Sequence, residues 1–167
     1  MAQWGNDTEY TGPVRVSGHG VFPTEGLYDA VTEWEVTCEY ANGVTLICKS
    51  GSPAIRFEGD EGWVACTWSG FEASSPQIAN AVIGPEEFHP RTCPGREQRD
   101  FLDCVKTRSE CYAPAEIGHR SITLSHLGNI AMMVGRTLRW NPDTERCVGD
   151  DTANRLLSRA MRAPWRL

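Results

Sequence analysis

No apolar run in the 167-residue chain approaches the ~18–20 residues that a membrane-spanning helix needs. The longest strand-like run, VTLIC at 44–48, is of β-strand length. No excess of positive charge exists either: 16 Lys and Arg face 22 Asp and Glu, a net charge of −6. Binding to nucleic acid through its phosphates needs clustered cations, so that class is excluded. The one basic concentration, Arg155, Arg159, Arg162 and Arg166, reads as salt-bridging surface. No C-x-x-C occurs among the seven cysteines, which argues against a zinc knuckle or a thioredoxin-like pair. The single G-x-G, GHG at 18–20, has Pro23 where a dinucleotide fingerprint needs a third small residue at a helix start. P-loop, H-E-x-x-H and G-x-S-x-G motifs are absent. So are internal repeats and low-complexity tracts. The opening MAQWGNDTEY is polar and acidic, unlike a signal peptide. With Met1 as the start, a cytoplasmic location is expected.

What is present suits one globular domain, residues 1–167, with 40% hydrophobic and 23% charged residues. The first part reads as strands at 13–22, 32–41, 44–50, 54–59 and 62–68, rich in Val, Ile, Thr and aromatics. Asn42-Gly43 predicts a type I′ hairpin turn and EGDEG at 58–62 a second tight connection. Trp34, Val36, Cys38 and Tyr40 alternate with Glu33, Glu35, Thr37 and Glu39, giving one buried and one wet face. Helices are expected at 74–84, 96–108, about 113–136 and 150–161, the last capped by Asp151 or Thr152. A proline-bounded loop covers 85–95, and a strand with a turn at Asn141-Pro142-Asp143 covers 137–149. Strands followed by helices predict an α+β fold: an open antiparallel sheet with helices packed on one face.

The 113–136 helix carries the most information. Ile117, Leu124, Leu127, Ala131 and Val134 fall on one face. Ile122, Ile130 and Met133 lie nearly opposite, beside His119 and His126. A helix apolar on both sides is expected to be buried on both, one against the sheet and one against a further domain or subunit. The histidines, seven residues apart, are separated by ~10.5 Å along the axis, too far for one zinc ion with ~2.1 Å bonds. No metal is expected. The cysteines read as structural thiols, with Cys93 the only one in a loop-like context. The paired carboxylates Glu86-Glu87 and Asp150-Asp151 sit in a loop and at a helix start, so neither reads as an acid–base pair. A cofactor-free lyase or hydrolase using His119, His126 or His89 is the weakest alternative.

Taken together, AQWGN, GVFP, YANGV, FEGDEGW, FLDCVKTR, APAEIGHRSITLSHLGNIAM, LRWNP and VGDDTANRLLSRAMRAPWRL resemble the C-terminal half of a bacterial Gfo/Idh/MocA-type oxidoreductase, the glucose–fructose oxidoreductase and inositol dehydrogenase family. The likeness spans essentially the whole chain. It implies a dihydrodipicolinate-reductase-like C-terminal domain that contacts substrate and assembles oligomers through its sheet. In a full-length relative, NAD(P) is bound by a separate Rossmann domain. The family's catalytic lysine, in an E-K-P motif, has no counterpart: only Lys49 and Lys106 exist, in CKS and VKT. The family's D-x-G-x-H pattern is likewise not found, and REQRD at 96–100 replaces the histidines and asparagine that relatives tend to have before FLDC. The resemblance therefore implies a substrate-binding and oligomerisation domain without dehydrogenase activity alone and without a cofactor of its own. His119, Arg120 and His126 are the candidate substrate contacts for a sugar or polyol. The implied partner is a second copy or a Rossmann-containing relative. A stand-alone interaction or carbohydrate-binding module is the alternative.

Overall fold

A computed structural model describes residues 1–87, 92–93 and 95–165. His89 and Arg166, singled out above, lie outside them, as does part of the 85–95 loop. In chain order the elements are α1 (Ala2–Gly5), β1 (Arg15–Val21), β2 (Glu33–Glu39), β3 (Thr45–Lys49), β4 (Ala54–Gly59), β5 (Gly62–Thr67), β6 (Gly70–Ala73), α2 (Pro76–Ala79), α3 (Arg96–Thr107), α4 (Ala115–Val134), β7 (Leu138–Asn141), β8 (Arg146–Cys147) and α5 (Asp151–Arg155). All strand pairings are antiparallel, and helices pack on the sheets, as the α+β expectation requires. The chain divides into two compact units. One comprises residues 51–115; the other joins residues 2–50 to the chain from Glu116 onward. Among the described residues no helix is long and apolar enough to cross a membrane.

The larger unit holds a five-stranded sheet in the order β3-β2-β1-β7-β8. Register places Val16 opposite Cys38 and Leu138, and Gly18 opposite Val36. The period-2 rule then collects Val16, Val36, Cys38, Leu138 and Trp140 on one face. That face is the core, completed by Leu127, Ile130 and Ala131 of α4 and Ala153 of α5. Burial pushes the Cys38 thiol up to about 12, so it stays protonated and acts as a small hydrophobe. Helix and sheet approach closely where side chains are missing. A Cβ on Gly128 would stand 2.8 Å from a Val36 methyl, and one on Gly18 would stand 3.1 Å from Met132.

The β2–β3 turn differs from the expected type I′. The Gly43 N–H donates to the Tyr40 carbonyl, and the Tyr40 N–H donates to the Val44 carbonyl. Gly43 has φ +87, whereas Asn42 is not among the positive-φ residues. The loop is thus the three-residue kind with one left-handed glycine. Asn42 instead uses its side chain, accepting from the Val44 N–H and donating to Asn6. The β7–β8 turn sits where it was expected, with Asn141 Oδ1 accepting from the Asp143 and Thr144 N–H groups. Asn154 then closes the edge of the sheet, exchanging two 2.8 Å hydrogen bonds with the Cys147 backbone as a strand would.

The α5 cap is Asp150, one residue before the expected pair, because Gly149 (φ +70) turns the chain there. Asp150 accepts from the Ala153 N–H at 3.0 Å and pairs bidentately with Arg136 at 2.7 and 2.9 Å. The helix ends at Arg155 instead of 161. Leu157 still packs against the core, but Leu156 and Met161 stay exposed, so no continuous buried stripe sustains further turns.

The smaller unit is the meander β4-β5-β6, with α2 and α3. The strands of the first part therefore form two sheets. Gly51 at φ +145 and Pro53, which has no N–H, end the ladder between β3 and β4. Strand β6 was not expected from the sequence, and α2 is confined to one turn capped by Ser75. Helix α3 matches its expected range to within one residue. Its apolar stripe, Phe101, Leu102 and Val105, is exposed.

Two glycines of α4 predict opposite responses. Gly118 has nothing within 4 Å of a new Cβ, so Gly118→Ala gains ~0.5–1 kcal/mol of helix propensity and raises the thermal midpoint by ~2 °C. Gly128→Ala drives a methyl into Val36; overpacking of ~1–3 kcal/mol outweighs the propensity gain and lowers the midpoint. Thermal unfolding of both variants checks this, and a stabilised Gly128→Ala would contradict the packing described. A second test concerns Asp150. The Arg136 hydrogen bond first, then the Ala153 N–H, hold its carboxyl below the usual range. A depressed carboxyl contributes stability above its unfolded value (~3.9) that disappears as pH falls through the folded one. Asp150→Asn keeps the cap acceptor and loses the ion pair. Its thermal midpoint should fall clearly below wild type at pH 7 and approach it near pH 3, and an equal deficit at both would exclude the ion pair as the source.

Candidate functional site

The first turns of α4 and the β7–β8 turn bring two of the three expected residues together. Arg120 is the anchor, with 16% of its side chain exposed. Its Nε donates to Glu116 Oε1 at 2.7 Å, one helical turn earlier. One Nη donates to the Pro142 carbonyl at 2.7 Å and lies 3.1 Å from Glu145 Oε1. The same Glu145 oxygen is 2.9 Å from His119 Nε2. A carboxylate only accepts, so Nε2 is the donor in this contact, and Nδ1 is the ring nitrogen it leaves over. Glu145 holds this place from a left-handed conformation, φ +51, inside the turn. The physical result is a knot: one largely buried guanidinium ties the start of α4 to the hairpin, with its charge met by two carboxylates. Arg120 therefore has no unpaired charge for an anionic substrate, and it positions His119 and Glu145.

His126 is not part of this knot. It is exposed and makes no hydrogen bond or ion pair among the described residues. Spacings of four, three and four residues place it in one stripe with Ile122, Asn129 and Met133. Ile122 is 51% and Met133 56% exposed. The expectation that α4 is buried on both faces is thus corrected. Leu127, Gly128, Ile130 and Ala131 are buried, Ile130 with them although it was placed on the opposite face, and the outer stripe is open. Both histidines are exposed, so the described residues bury neither of them.

A second constellation, in the smaller unit, escaped the sequence analysis. Asp100 and Cys104 lie one turn apart on α3, and Cys111 follows from the loop. One ligand atom from each, a carboxylate oxygen and two sulfurs, all lie within 4.8 Å of one another. Cys104 Sγ is 3.9 Å from Asp100 Oδ2 and 3.5 Å from the Glu110 carbonyl. The Ser109 hydroxyl donates to Cys104 Sγ at 3.6 Å, and the Tyr112 N–H donates to Asp100 Oδ2 at 2.7 Å. Burial and then Cys104 push the Cys111 thiol up. Cys93 is also pushed up, by burial first and then by Asp100, Glu97 and Cys104. The signal was present in the sequence as D-x3-C-x6-C, but the familiar C-x-x-C templates do not include it.

The geometry alone names no reaction, since His119 faces a carboxylate it already shares and His126 faces solvent. Comparison with known proteins supplies the lineage. No curated protein matches the chain. A family model, that of the Gfo/Idh/MocA oxidoreductase family's C-terminal alpha/beta domain, matches residues 3–167. Covering both units and every strand of both sheets, that match makes this chain a member of the Gfo/Idh/MocA oxidoreductase family, as its C-terminal alpha/beta domain.

Proposed function

We propose that these 167 residues are the substrate-contacting and assembling part of an NAD(P)-dependent sugar or polyol oxidoreductase, and that they transfer no hydride by themselves. The observation that carries this reading is the family match over residues 3–167, in a sequence with no dinucleotide fingerprint and no E-K-P lysine. Hydride transfer requires a nicotinamide held against the substrate, and a glycine-rich turn at a helix N-terminus is the usual holder. No such turn exists in this sequence. The dinucleotide must then come with another segment or chain.

The open stripe of α4 supports the same reading. Ile122 and Met133 offer apolar area to a partner, and His126 between them is free to donate or accept a hydrogen bond. His119 Nδ1, near the start of the same helix, is the second candidate substrate contact, with Arg120 as its positioning residue. Self-association belongs to the outward face of the five-stranded sheet. Most of that face is charged: Arg15 pairs with Glu39 at 3.3 Å, and Glu35 lies opposite Lys49. Between those rows runs an uncharged one, Ser17, Thr37 and Ile47, in register across β1, β2 and β3. Ile47 is 58% exposed. Two copies stacking on this row bury an apolar centre while the flanking rows offer charges of both signs.

Sedimentation at micromolar concentration tests the assembly. The chain should run at about twice its 18.5 kDa mass. Ile47→Glu should give the monomer, and Ile122→Glu should leave the dimer intact. A monomeric wild type, or a dimer broken by Ile122→Glu alone, would refute the sheet interface. Separately, titration followed by nicotinamide fluorescence should show no NAD(P)H binding in the micromolar range. Saturable micromolar binding would overturn the assignment of the dinucleotide site to another segment or chain.

A further inference from the structure

We propose that Asp100, Cys104 and Cys111 form a binding site for a borderline-soft divalent cation of the zinc type, which fastens the C-terminal half of α3 to the segment that follows it. The site is independent of the sugar-oxidoreductase reading. It stands on the convergence of three donors from two chain segments.

Bond lengths decide whether one ion fits. Zinc–sulfur bonds of ~2.3 Å and zinc–oxygen bonds of ~2.0 Å at tetrahedral angles put two sulfurs ~3.8 Å apart and a sulfur and an oxygen ~3.5 Å apart. The Cys104 Sγ to Asp100 Oδ2 separation is 3.9 Å, and all three ligand atoms lie within 4.8 Å of one another. Movements of a few tenths of an ångström to about an ångström, within side-chain reach, close them on an ion. The i,i+4 spacing on α3 keeps Asp100 and Cys104 on one face, and the left-handed Arg108, whose N–H donates to the Cys104 carbonyl, turns the chain back so that Cys111 meets them.

The surroundings are those that orient metal ligands. The Tyr112 N–H holds the Asp100 carboxylate. The Ser109 hydroxyl points at the Cys104 sulfur and would stabilise a thiolate there. Two thiolates with one carboxylate select zinc, cobalt or a similar ion over magnesium or calcium, which prefer all-oxygen sets. On binding, two S–H bonds break, two metal–sulfur bonds and one metal–oxygen bond form, and two protons go to solvent. No oxidation state changes. Water fills the fourth position.

Cobalt(II) is the probe, added to the reduced 167-residue chain. One cobalt per chain should bind with micromolar or tighter affinity. It should show thiolate-to-metal charge transfer in the near ultraviolet and the intense visible bands of tetrahedral geometry, and zinc should displace it. Cys111→Ser should lower the charge-transfer intensity by about half and weaken binding by about tenfold or more. Asp100→Asn keeps the acceptor for Tyr112 and removes the ligand charge, so it should weaken binding with the circular dichroism unchanged. Cys66→Ser, in β5, should bind as wild type does. The proposal is overturned if wild type shows no charge-transfer band, or if Cys111→Ser and Asp100→Asn bind cobalt as wild type does. A Cys104–Cys111 disulfide that persists in excess zinc and mild reductant would also overturn it.

Discussion

Everything in the larger unit depends on how close α4 lies to β1 and β2. The helix passes over the sheet where Gly18 and Gly20 face it from β1, and Gly128 faces Val36 from its own side. With three Cβ atoms missing, the Val36 methyls sit almost against the helix backbone. Leu127, Ile130 and Ala131 then reach Val16, Cys38 and Leu138 to make one core. A contact this tight fixes the rotation of the helix as well as its distance, because any turn about its axis would replace Gly128 with a residue that carries a side chain. The outer stripe of Ile122, His126, Asn129 and Met133 is therefore set by a contact on the opposite side of the helix. Its two ends are held independently, by Arg120 on the β7–β8 turn and by Arg136, just past the helix, on Asp150.

Much of this was legible in the sequence, and the reasons separate cleanly. Strand β2 was readable because one face is apolar and the other is mostly glutamate, which only one register can satisfy. Helices α3 and α4 were readable because they are long enough for periodicity to show. The division of the strands into two sheets was not readable, because β4 alternates exposed and half-buried residues just as β3 does, and only Gly51 and Pro53 mark the break between them. The length of α5 was overestimated because Leu156 and Met161 continue the periodic pattern, although among the described residues beyond Arg155 only Leu157 still packs against the core. The turn at Gly43 was misassigned by one residue's φ, since Asn-Gly suits several turn types and the loop length decides among them.

The candidate site was legible in part for a different reason. GHRS identified the right end of α4, and both His119 and Arg120 prove to be in one network. Their partners, Glu145 and the Pro142 carbonyl, are 22 to 26 positions away, a separation that no local pattern reports. Charge balance then changes the meaning of Arg120. An arginine near a histidine in sequence suggests anion binding, whereas an arginine largely buried between two carboxylates and a carbonyl is a structural tie. Removing it would leave Glu116 and Glu145 near one another without a counter-charge. It holds Glu145 in place, and through that shared carboxylate oxygen it fixes the side of the His119 ring that carries Nε2.

Spacing arguments about metals carry the same lesson in reverse. Two histidines seven apart on a helix cannot share an ion, and that conclusion follows from helical rise alone. The absence of C-x-x-C excludes only the sites in which a tight turn brings two cysteines together. Cys104 and Cys111 are brought together by a helix end and a left-handed residue, Arg108, whose position is set by where α3 stops. Asp100 joins them because four residues make one helical turn. None of the three donors is unusual where it stands: a half-buried aspartate on a helix, a buried cysteine and a loop cysteine. Each alone reads as structural. The chemistry arises only from their convergence, and convergence is a property of the fold that the order of residues does not display.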